Sequence, residues 1–229
     1  MAPPPTARRR QAQRTAMSDR LMSSAAVHLL VSDGVRGTTL ARLGQRAGYS
    51  RGLATHRFGS KAGLLRHVLQ QASQRWLQLL QSEVGAQVGA DALCAAVDAH
   101  LHFLRTAPDE VRAMYLLWFT SIDPASEYRA NVARVHEVQR ADISRWVRLG
   151  QAQGSVPAAV DAERVAEQFC ASMAGMVFQW LVNDRVPLEA MHAQLKSDVR
   201  LRLCAPAGTA PSSNRTKPKG HHDDRRPHL

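Results

Sequence analysis

The sequence lacks long apolar stretches, a leader-like N-terminus and closely spaced cysteines. No apolar run approaches the roughly 20 residues that a membrane-spanning helix needs, so we predict no membrane contact. The basic N-terminus is not followed directly by an apolar segment, which argues against a signal peptide. Cys94, Cys170 and Cys204 lie far apart. This spacing favours free thiols in a cytoplasmic protein over a disulfide or a metal site.

Sequence motifs of common enzyme classes are also missing. The chain has no P-loop, no GxSxG turn and no HExxH zinc motif. It has none of the paired Glu-x-x-His motifs that a di-iron helical bundle requires. Asp98, His100 and His102 are two residues apart, a spacing that spreads their side chains around a helix. We therefore predict no catalytic residues, no metal and no cofactor, and keep a helical-bundle enzyme only as a less favoured alternative.

The positive charge is concentrated in the first third of the chain. The formal net charge is +11, and residues 1–70 carry twelve Lys and Arg against two acidic residues. Residues 71–204 carry thirteen basic and fifteen acidic residues, so this longer part is nearly neutral. A concentrated positive field attracts the phosphates of nucleic acid. The charge distribution thus favours a DNA-binding segment before residue 70.

Helical periodicity dominates the chain between its two termini. No sustained alternation of apolar and polar residues is present, and Gly, Pro and capping residues recur at intervals that suit helix ends. The predicted fold class is all-α, with a helix-turn-helix domain followed by a larger helical bundle. About nine helices are expected, at approximately 18–32, 39–48, 50–59, 61–84, 91–107, 108–122, 126–153, 161–182 and 187–203.

Four segments follow from these patterns. Residues 1–15 are rich in Pro and Arg and are predicted to form a disordered basic arm. Residues 16–70 form the predicted DNA-binding domain, and residues 71–204 the predicted effector-binding and dimerisation domain. Residues 205–229 are polar, low in complexity and rich in Pro and Gly, so a disordered tail is expected.

The stretch from Thr38 to Leu65 has the pattern of a helix-turn-helix. Its second helix is expected to lie in the DNA major groove, where each base pair presents a distinct pattern of donors and acceptors. Ala54 and Phe58 are four residues apart and should face the protein. The remaining face would then present Arg51, Gly52, Thr55 and His56 to DNA.

Helix N-termini on either side of this helix are predicted to bind phosphate. Thr38 and Thr39 precede one helix, and Lys61 begins another. Free N–H groups and a partial positive charge at helix N-termini favour phosphate oxygens. Simple capping by the threonines is the alternative at these positions.

Residues 20–69 resemble the TetR family of bacterial transcriptional regulators. In this sequence the resemblance is carried by Gly34, Thr38, Thr39, Ala47, Gly48, Tyr49, Ser50, Gly52, Phe58, Lys61 and Leu64. The resemblance adds Tyr49 and Ser50 to the expected DNA-binding residues. Arg57, which stands where the family usually has a histidine before the phenylalanine, is also expected to contact DNA. Thr55 stands where the family commonly has an aromatic residue, so its contacts on DNA are expected to differ.

The resemblance also implies a homodimer and a small-molecule effector. In this family the last two helices pair with their symmetry mates, and a pocket among the middle helices binds an effector. The apolar stripes on these elements supply the candidates, although core packing is the alternative for each. The predicted interface contains Phe169, Met173, Val177, Trp180, Leu188 and Leu195. The predicted effector site contains Trp76, His100, Trp118, Phe119, His136 and Gln139.

We therefore predict a cytoplasmic, sequence-specific regulator of transcription. The expected form is a homodimeric repressor that binds a palindromic double-stranded operator and is released by an unidentified small molecule. An architectural DNA-binding protein without an effector is the alternative, and activation instead of repression stays open.

Overall fold

Helices account for almost all of residues 5–204, the part of the chain that the computed structural model describes. No strand occurs in this range, so the predicted all-α fold is confirmed. The helices are α1 (Pro5–Gly37), α2 (Leu40–Ala47), α3 (Arg51–Phe58), α4 (Lys61–Val84), α5 (Gly89–Thr106), α6 (Pro108–Thr120), α7 (Arg129–Ala152), α8 (Ala162–Val182) and α9 (Leu188–Leu203). The tail predicted at residues 205–229 lies outside the described residues.

The N-terminal caps of α2, α3 and α4 are those predicted from the sequence. The side chains of Thr39, Ser50 and Ser60 accept hydrogen bonds from the third backbone N–H beyond each cap. Such a bond satisfies one of the free N–H groups at a helix start. Between α2 and α3 the chain passes so close to Gly44 that a Cβ there would lie 2.9 Å from the carbonyl oxygen of Tyr49. A glycine is therefore needed for this tight turn.

α1 differs from its prediction at both ends. It begins at Pro5 instead of residue 18, so residues 5–15 are helical where a disordered arm was expected. After the initial prolines, Ala, Arg and Gln predominate, and these residues favour helix once it can continue into the apolar part of α1. The helical dihedrals break at Gly34, which has φ 67° and ψ −178°, and the chain regains helical form up to Gly37.

A single hydrophobic core joins the head, formed by α1–α3 and the start of α4, to the longer bundle. α4 continues without a break across the predicted domain boundary at residue 70. α6 packs against both α1 and α4, while α5 contacts α4, α7 and α9. α4 is therefore packed against both parts of the chain.

α6 is only partly the buried central helix that its composition predicts. Val111, Ala113 and Leu117 are buried, but Phe119 is 45 % exposed. Ile122, which was predicted to end the helix, lies in the following turn and is 68 % exposed. The helix ends at Thr120, so its last apolar residues project from the bundle instead of entering it.

None of the helices in the described range is both long and apolar enough to cross a bilayer. Within the same range, no group of three or more His, Cys, Asp or Glu residues could hold a metal ion. The candidate sites are therefore a surface of the head and the cavities of the bundle.

Candidate DNA-binding surface and ligand cavity

α3 presents a polar face to solvent. Ala54 is fully buried and Phe58 is partly buried, so this side of the helix packs on the head. Arg51, Thr55 and His56 are exposed, which is the orientation predicted for them. This arrangement leaves hydrogen-bonding side chains along the exposed face of α3. An α-helix fits the DNA major groove, where such side chains can reach base edges.

The positions around this face are open as well. Gly52 is exposed, and a Cβ at this position would meet only the Ser50 hydroxyl at 3.7 Å. Ser50 is exposed and accepts a hydrogen bond from the backbone N–H of Leu53 at 3.1 Å, whereas Tyr49 is half-buried. Leu53 itself is 40 % exposed, which places it on the surface and not against Ala54 in the core.

Thr38 is fully buried, which makes its predicted phosphate contact wrong. Its hydroxyl donates to the carbonyl oxygen of Gly34 at 2.9 Å and so bridges the break in α1. Thr39 is exposed, and its hydroxyl oxygen accepts from the backbone N–H of Arg42 at 3.3 Å. The two threonines therefore have different roles: Thr38 holds the backbone, and Thr39 caps α2 at the surface.

Two cations predicted to bind DNA are bonded to α1. Arg57 forms an ion pair with Asp19, so its guanidinium joins α3 to α1. The ammonium of Lys61 donates to the carbonyl oxygen of Arg36 at 3.1 Å. An ammonium has three N–H donors, so Lys61 keeps two for another acceptor. For Arg57 the structure thus supports a role in positioning α3 instead of the predicted direct contact.

The sequence interpretation missed Arg46, which is exposed in the last turn of α2. Arg42 precedes it by four residues on the same face but is paired with Asp33 at 2.6 Å. The i, i+4 spacing of two arginines in the helix that precedes α3 was a signal for a basic surface.

A cavity of about 470 Å³ opens among α4, α5, α6, α7 and α8. Trp76, His100, Trp118, His136 and Gln139, five of the six residues predicted for an effector site, line it together. Phe119 does not line it and instead packs on Phe178 at the outer surface. The lining residues not predicted from the sequence include Phe103, Tyr115, Arg140, Trp146, Glu167, Phe169, Cys170 and Met173.

His100, which lines this cavity, is paired with the buried His192 behind it. His100 Nδ1 lies 3.0 Å from Nε2 of His192, and Nδ1 of His192 lies 2.7 Å from the carbonyl oxygen of Leu188. Burial, and to a smaller extent the neighbouring His192, lower the pKa of His100 to about 3. Burial also lowers the pKa of His192. Both rings are therefore neutral at ordinary pH.

His192 was missed in the sequence, although it is almost completely buried. It follows Leu188 by four residues and precedes Val199 by seven, so helical spacing places all three on one face. A polar residue within that apolar stripe was the signal for a buried hydrogen bond.

Other polar groups of the cavity also stay neutral. Burial, followed by the charge of Arg140, lowers the pKa of His136. Burial raises the pKa of Cys170 to about 11, so the thiol stays protonated and is a poor nucleophile. The hydroxyl of Tyr115 donates to the carbonyl oxygen of Ala174 at 3.2 Å, and burial raises its pKa.

A second, larger cleft of about 1010 Å³ separates the head from α7. Its lining includes the basic side chains of Arg66 and Arg134. Trp76, Leu77 and Gln139 line both this cleft and the aromatic cavity. The cavity and the back of the DNA-binding head are thus separated by only a few shared side chains.

The predicted dimer residues mostly belong to the interior of one chain. Phe169, Met173, Val177 and Leu188 are buried. Phe169 and Met173 line the aromatic cavity, and Trp180 and Leu195 are partly buried against the core. The apolar stripe predicted as the dimer interface is therefore the inner face of α8 and α9. An apolar stripe indicates a buried face but does not show which neighbour buries it. The large apolar residues exposed on α8 are Phe178 and Val182.

Comparison with known proteins agrees with this architecture. Residues 23–68 match the family model of bacterial regulatory proteins of the tetR family. The HTH-type transcriptional regulator BetI of Burkholderia ambifaria is 30% identical over 139 residues, which span 56% of this chain and 70% of that protein.

Solved structures with similar folds include two that contain small molecules. The SmeT–triclosan complex has a TM-score of 0.71 at 16% identity and covers 91% of this chain and 100% of its own. A regulator from Saccharomonospora viridis in complex with choline has a TM-score of 0.71 at 19% identity, covering 81% and 97%. These two structures establish the fold. The family-model match over the helix-turn-helix and the similarity to BetI show that the chain belongs to the tetR family of bacterial regulatory proteins and is a DNA-binding transcriptional regulator.

Proposed function

We propose that the chain is a homodimeric repressor that leaves its DNA operator when a small molecule enters the aromatic cavity. The supporting observation is the position of this cavity, which shares Trp76, Leu77 and Gln139 with the cleft behind the DNA-binding head. A ligand that displaces these side chains changes the packing of α4, which begins within the head. The cytoplasm, where bacterial operators lie, is the proposed location.

Arg51, Thr55 and His56 are the proposed base-contacting residues, since they are exposed on the outer face of α3. Arginine and histidine donate to acceptors on base edges, and threonine can either donate or contact a thymine methyl group. Thr39, Tyr49, Ser50, Gly52 and Lys61 surround this face and are proposed to contact phosphates. Arg46 is added to this group because it is exposed and lies beside α3.

The outer face of α8 is the proposed dimer interface, replacing the inner face predicted from sequence. Gly175, Phe178 and Val182 follow one another at steps of three and four residues and form an uncharged stripe. A Cβ at Gly175 would meet nothing within 4 Å, so a second helix can approach closely there. Exposed apolar stripes with small residues suit self-association. Such a two-fold dimer matches a palindromic operator whose half-sites lie about 34 Å or a multiple of this distance apart.

The proposed division of the chain keeps residues 16–70 as the DNA-binding part and residues 71–204 as the effector-binding and dimerisation part. The charge difference between the two segments supports it. Because α4 crosses residue 70, the two parts are expected to unfold together instead of independently.

Two successive experiments test operator binding and the release of the operator by an effector. DNA fragments retained by the purified protein are sequenced, and binding to the recovered site is followed by fluorescence anisotropy. A metabolite collection is then screened for compounds that raise the melting temperature and release the operator. An architectural DNA-binding protein without an effector, the alternative, would bind DNA and respond to no compound.

A cavity-filling variant identifies the site of release. Ala174→Phe places a ring at the cavity wall, whereas Ala158→Phe adds the same ring on an exposed loop between α7 and α8. We expect Ala174→Phe to bind the operator but lose the response to the compound. Equal responses of the two variants would place the effector outside this cavity.

A further inference from the structure

The protons of the His100–His192 pair are fixed by its hydrogen bonds. The carbonyl oxygen of Leu188 can only accept, so Nδ1 of His192 donates to it. In a neutral ring the other nitrogen then carries no proton, and Nε2 of His192 accepts a hydrogen bond. The donor in this bond is Nδ1 of His100, at 3.0 Å.

This arrangement leaves Nε2 of His100 without a proton. The ring is neutral, and its one proton is already on Nδ1. Nε2 points away from His192, and no hydrogen bond to it is found within residues 5–204. His100 lines the aromatic cavity and packs edge-on against Trp76, with ring centroids 5.7 Å apart. The cavity therefore contains a fixed hydrogen-bond acceptor.

Trp118 lines the same cavity and has an unpaired hydrogen-bond donor. Its indole Nε1 is buried and has no hydrogen-bond partner among the described residues. An indole nitrogen can only donate, and a buried donor without a partner costs free energy. The adjacent Tyr115 does not accept this proton and has its own hydroxyl bonded to Ala174. A ligand atom that accepts from Trp118 would remove this cost.

The remaining polar residues of the cavity do not favour a strongly charged ligand. Of its charged lining residues, Asp142 is bonded to Arg145 at 3.0 Å. Glu167 is exposed to solvent and Arg140 is only partly buried, so neither of these charges is enclosed within the cavity. A fully charged ligand without a dedicated partner would pay a large desolvation cost in a cavity walled mainly by aromatic rings.

We propose that the effector is an uncharged, mainly apolar molecule with a hydroxyl or N–H group that donates to Nε2 of His100 and an acceptor atom for Nε1 of Trp118. Aromatic alcohols and phenols have this chemistry. A volume of about 470 Å³ lies in the range of cavities that hold drug-sized ligands. The inference rests on the proposed function, because it assigns a ligand class to the cavity that is proposed to control DNA release.

A matched pair of ligands tests the donor requirement by calorimetric titration of the full chain. 4-Butylphenol carries a hydroxyl donor, and 4-butylanisole replaces its proton with a methyl group but keeps the ring and the oxygen. Choline serves as a third probe, since it carries a hydroxyl on a permanent cation. We expect the phenol to bind at least about tenfold more tightly than the anisole, because the ether leaves Nε2 of His100 unpaired. We also expect the phenol to bind more tightly than choline.

Variants of the two polar residues are compared with one on the other side of α5. His100→Phe removes the acceptor and keeps a ring, and Trp118→Phe removes the indole donor. His102→Gln alters an exposed histidine on the same helix that does not line the cavity. The preference for the phenol is expected to fall below about threefold in His100→Phe and to persist in His102→Gln. Trp118→Phe should weaken both ligands about equally, since each offers an oxygen acceptor.

The outcomes separate the ligand class from the proposed repressor function. Equal binding of phenol and anisole to the wild-type chain, or an unchanged preference in His100→Phe, would overturn the donor requirement while leaving an apolar cavity intact. Tighter binding of choline than of the phenol would overturn the proposal that the ligand is uncharged. Absence of binding by all three probes would also overturn the proposed class, whereas DNA release by another compound would still support an effector-controlled repressor. If His100→Phe does not fold, the wild-type comparison decides by itself.

Discussion

Phe119 and Phe178 pack against each other with ring centroids 5.2 Å apart, yet each remains 45 % exposed. They come from α6 and α8, and Ile122 and Val182 beside them are also exposed. Monomeric proteins seldom leave neighbouring large apolar side chains uncovered, so such a group marks an interaction surface. The relationship between these two rings therefore supports a dimer through the outer surface of α8.

Phe178→Asp is expected to produce a folded monomer. The substitution places a charge on the exposed stripe, where it is solvated in the free chain but desolvated and unpaired in a dimer. Light scattering measures the molecular mass, and circular dichroism checks that the helices persist. Leu149→Asp is the control, because Leu149 is similarly exposed, at 40 %, but lies on α7. A dimeric Phe178→Asp protein with unchanged affinity would place the interface elsewhere.

Trp180, a residue predicted for the interface, is a weaker test of that interface than Phe178. It is partly buried against the core of its own chain, so Trp180→Asp would lower the free energy of unfolding as well as disturb any dimer. Phe178 and Trp180 are two residues apart on α8 and face different surroundings.

Arg51→Ala is expected to weaken operator binding by roughly 1–3 kcal/mol if the side chain contacts a guanine, with reduced preference at that base pair. If Arg51 contacts only phosphate, all sequences should weaken alike and the salt dependence should fall. Anisotropy titrations on the operator and on single-base variants, at several salt concentrations, distinguish these results. Unchanged affinity, preference and salt dependence would exclude Arg51 from the DNA surface.

Thr38→Val is expected to lower the free energy of unfolding by about 1 kcal/mol through loss of the bond to the Gly34 carbonyl. The salt dependence of DNA binding should not change, since the buried hydroxyl contacts no phosphate. Denaturant unfolding and salt-dependent anisotropy give the two quantities. Thr39→Val provides the comparison, because it removes an exposed capping oxygen. A lower salt dependence in Thr38→Val alone would restore the contact predicted from sequence.

The sequence predicted local features well because their causes lie within a few residues. Thr39, Ser50 and Ser60 begin their helices as expected, since a capping bond joins residues three apart. Likewise Gly48, in the left-handed conformation, ends α2 where it was predicted to end. The outward direction of Arg51 followed from helical periodicity and the small size of Ala54.

Features that depend on distant partners could not be predicted in the same way. His100 and His192 are separated by 92 residues, and no local pattern joins them. The apolar periodicity of α8 correctly predicted that Phe169 is buried. Core and interface residues have similar compositions, so periodicity did not show whether its own chain or a second copy buries it. Thr38 precedes a helix, as a phosphate-binding residue would. In the fold it is buried and bonded to the carbonyl oxygen of Gly34, where the helical dihedrals of α1 break.

The lowered pKa of His100 is expected to make the free energy of unfolding fall as the pH falls. The unfolded ring has a pKa near its ordinary value of 6.5, whereas burial and His192 lower the folded pKa to about 3. Between these values the unfolded chain binds one more proton at this site. The free energy of unfolding therefore falls as pH falls below about 6.5, by up to about 1.4 kcal/mol per pH unit, until pH approaches the folded pKa.

His100→Gln removes this titration while keeping an amide that can donate to His192. Its free energy of unfolding, measured by denaturant titration, should drop by about 2 kcal/mol less than that of the wild-type chain between about pH 6.5 and 4.5. Acidic residues titrate in the same interval, but they are common to both proteins and cancel in the comparison. His102→Gln removes an exposed histidine of α5 and is expected to keep the wild-type loss. Parallel pH profiles for His100→Gln and the wild-type chain would mean that the pKa of His100 is the same in the folded and unfolded chains, and its Nε2 would then be a donor to the cavity below about pH 6.5.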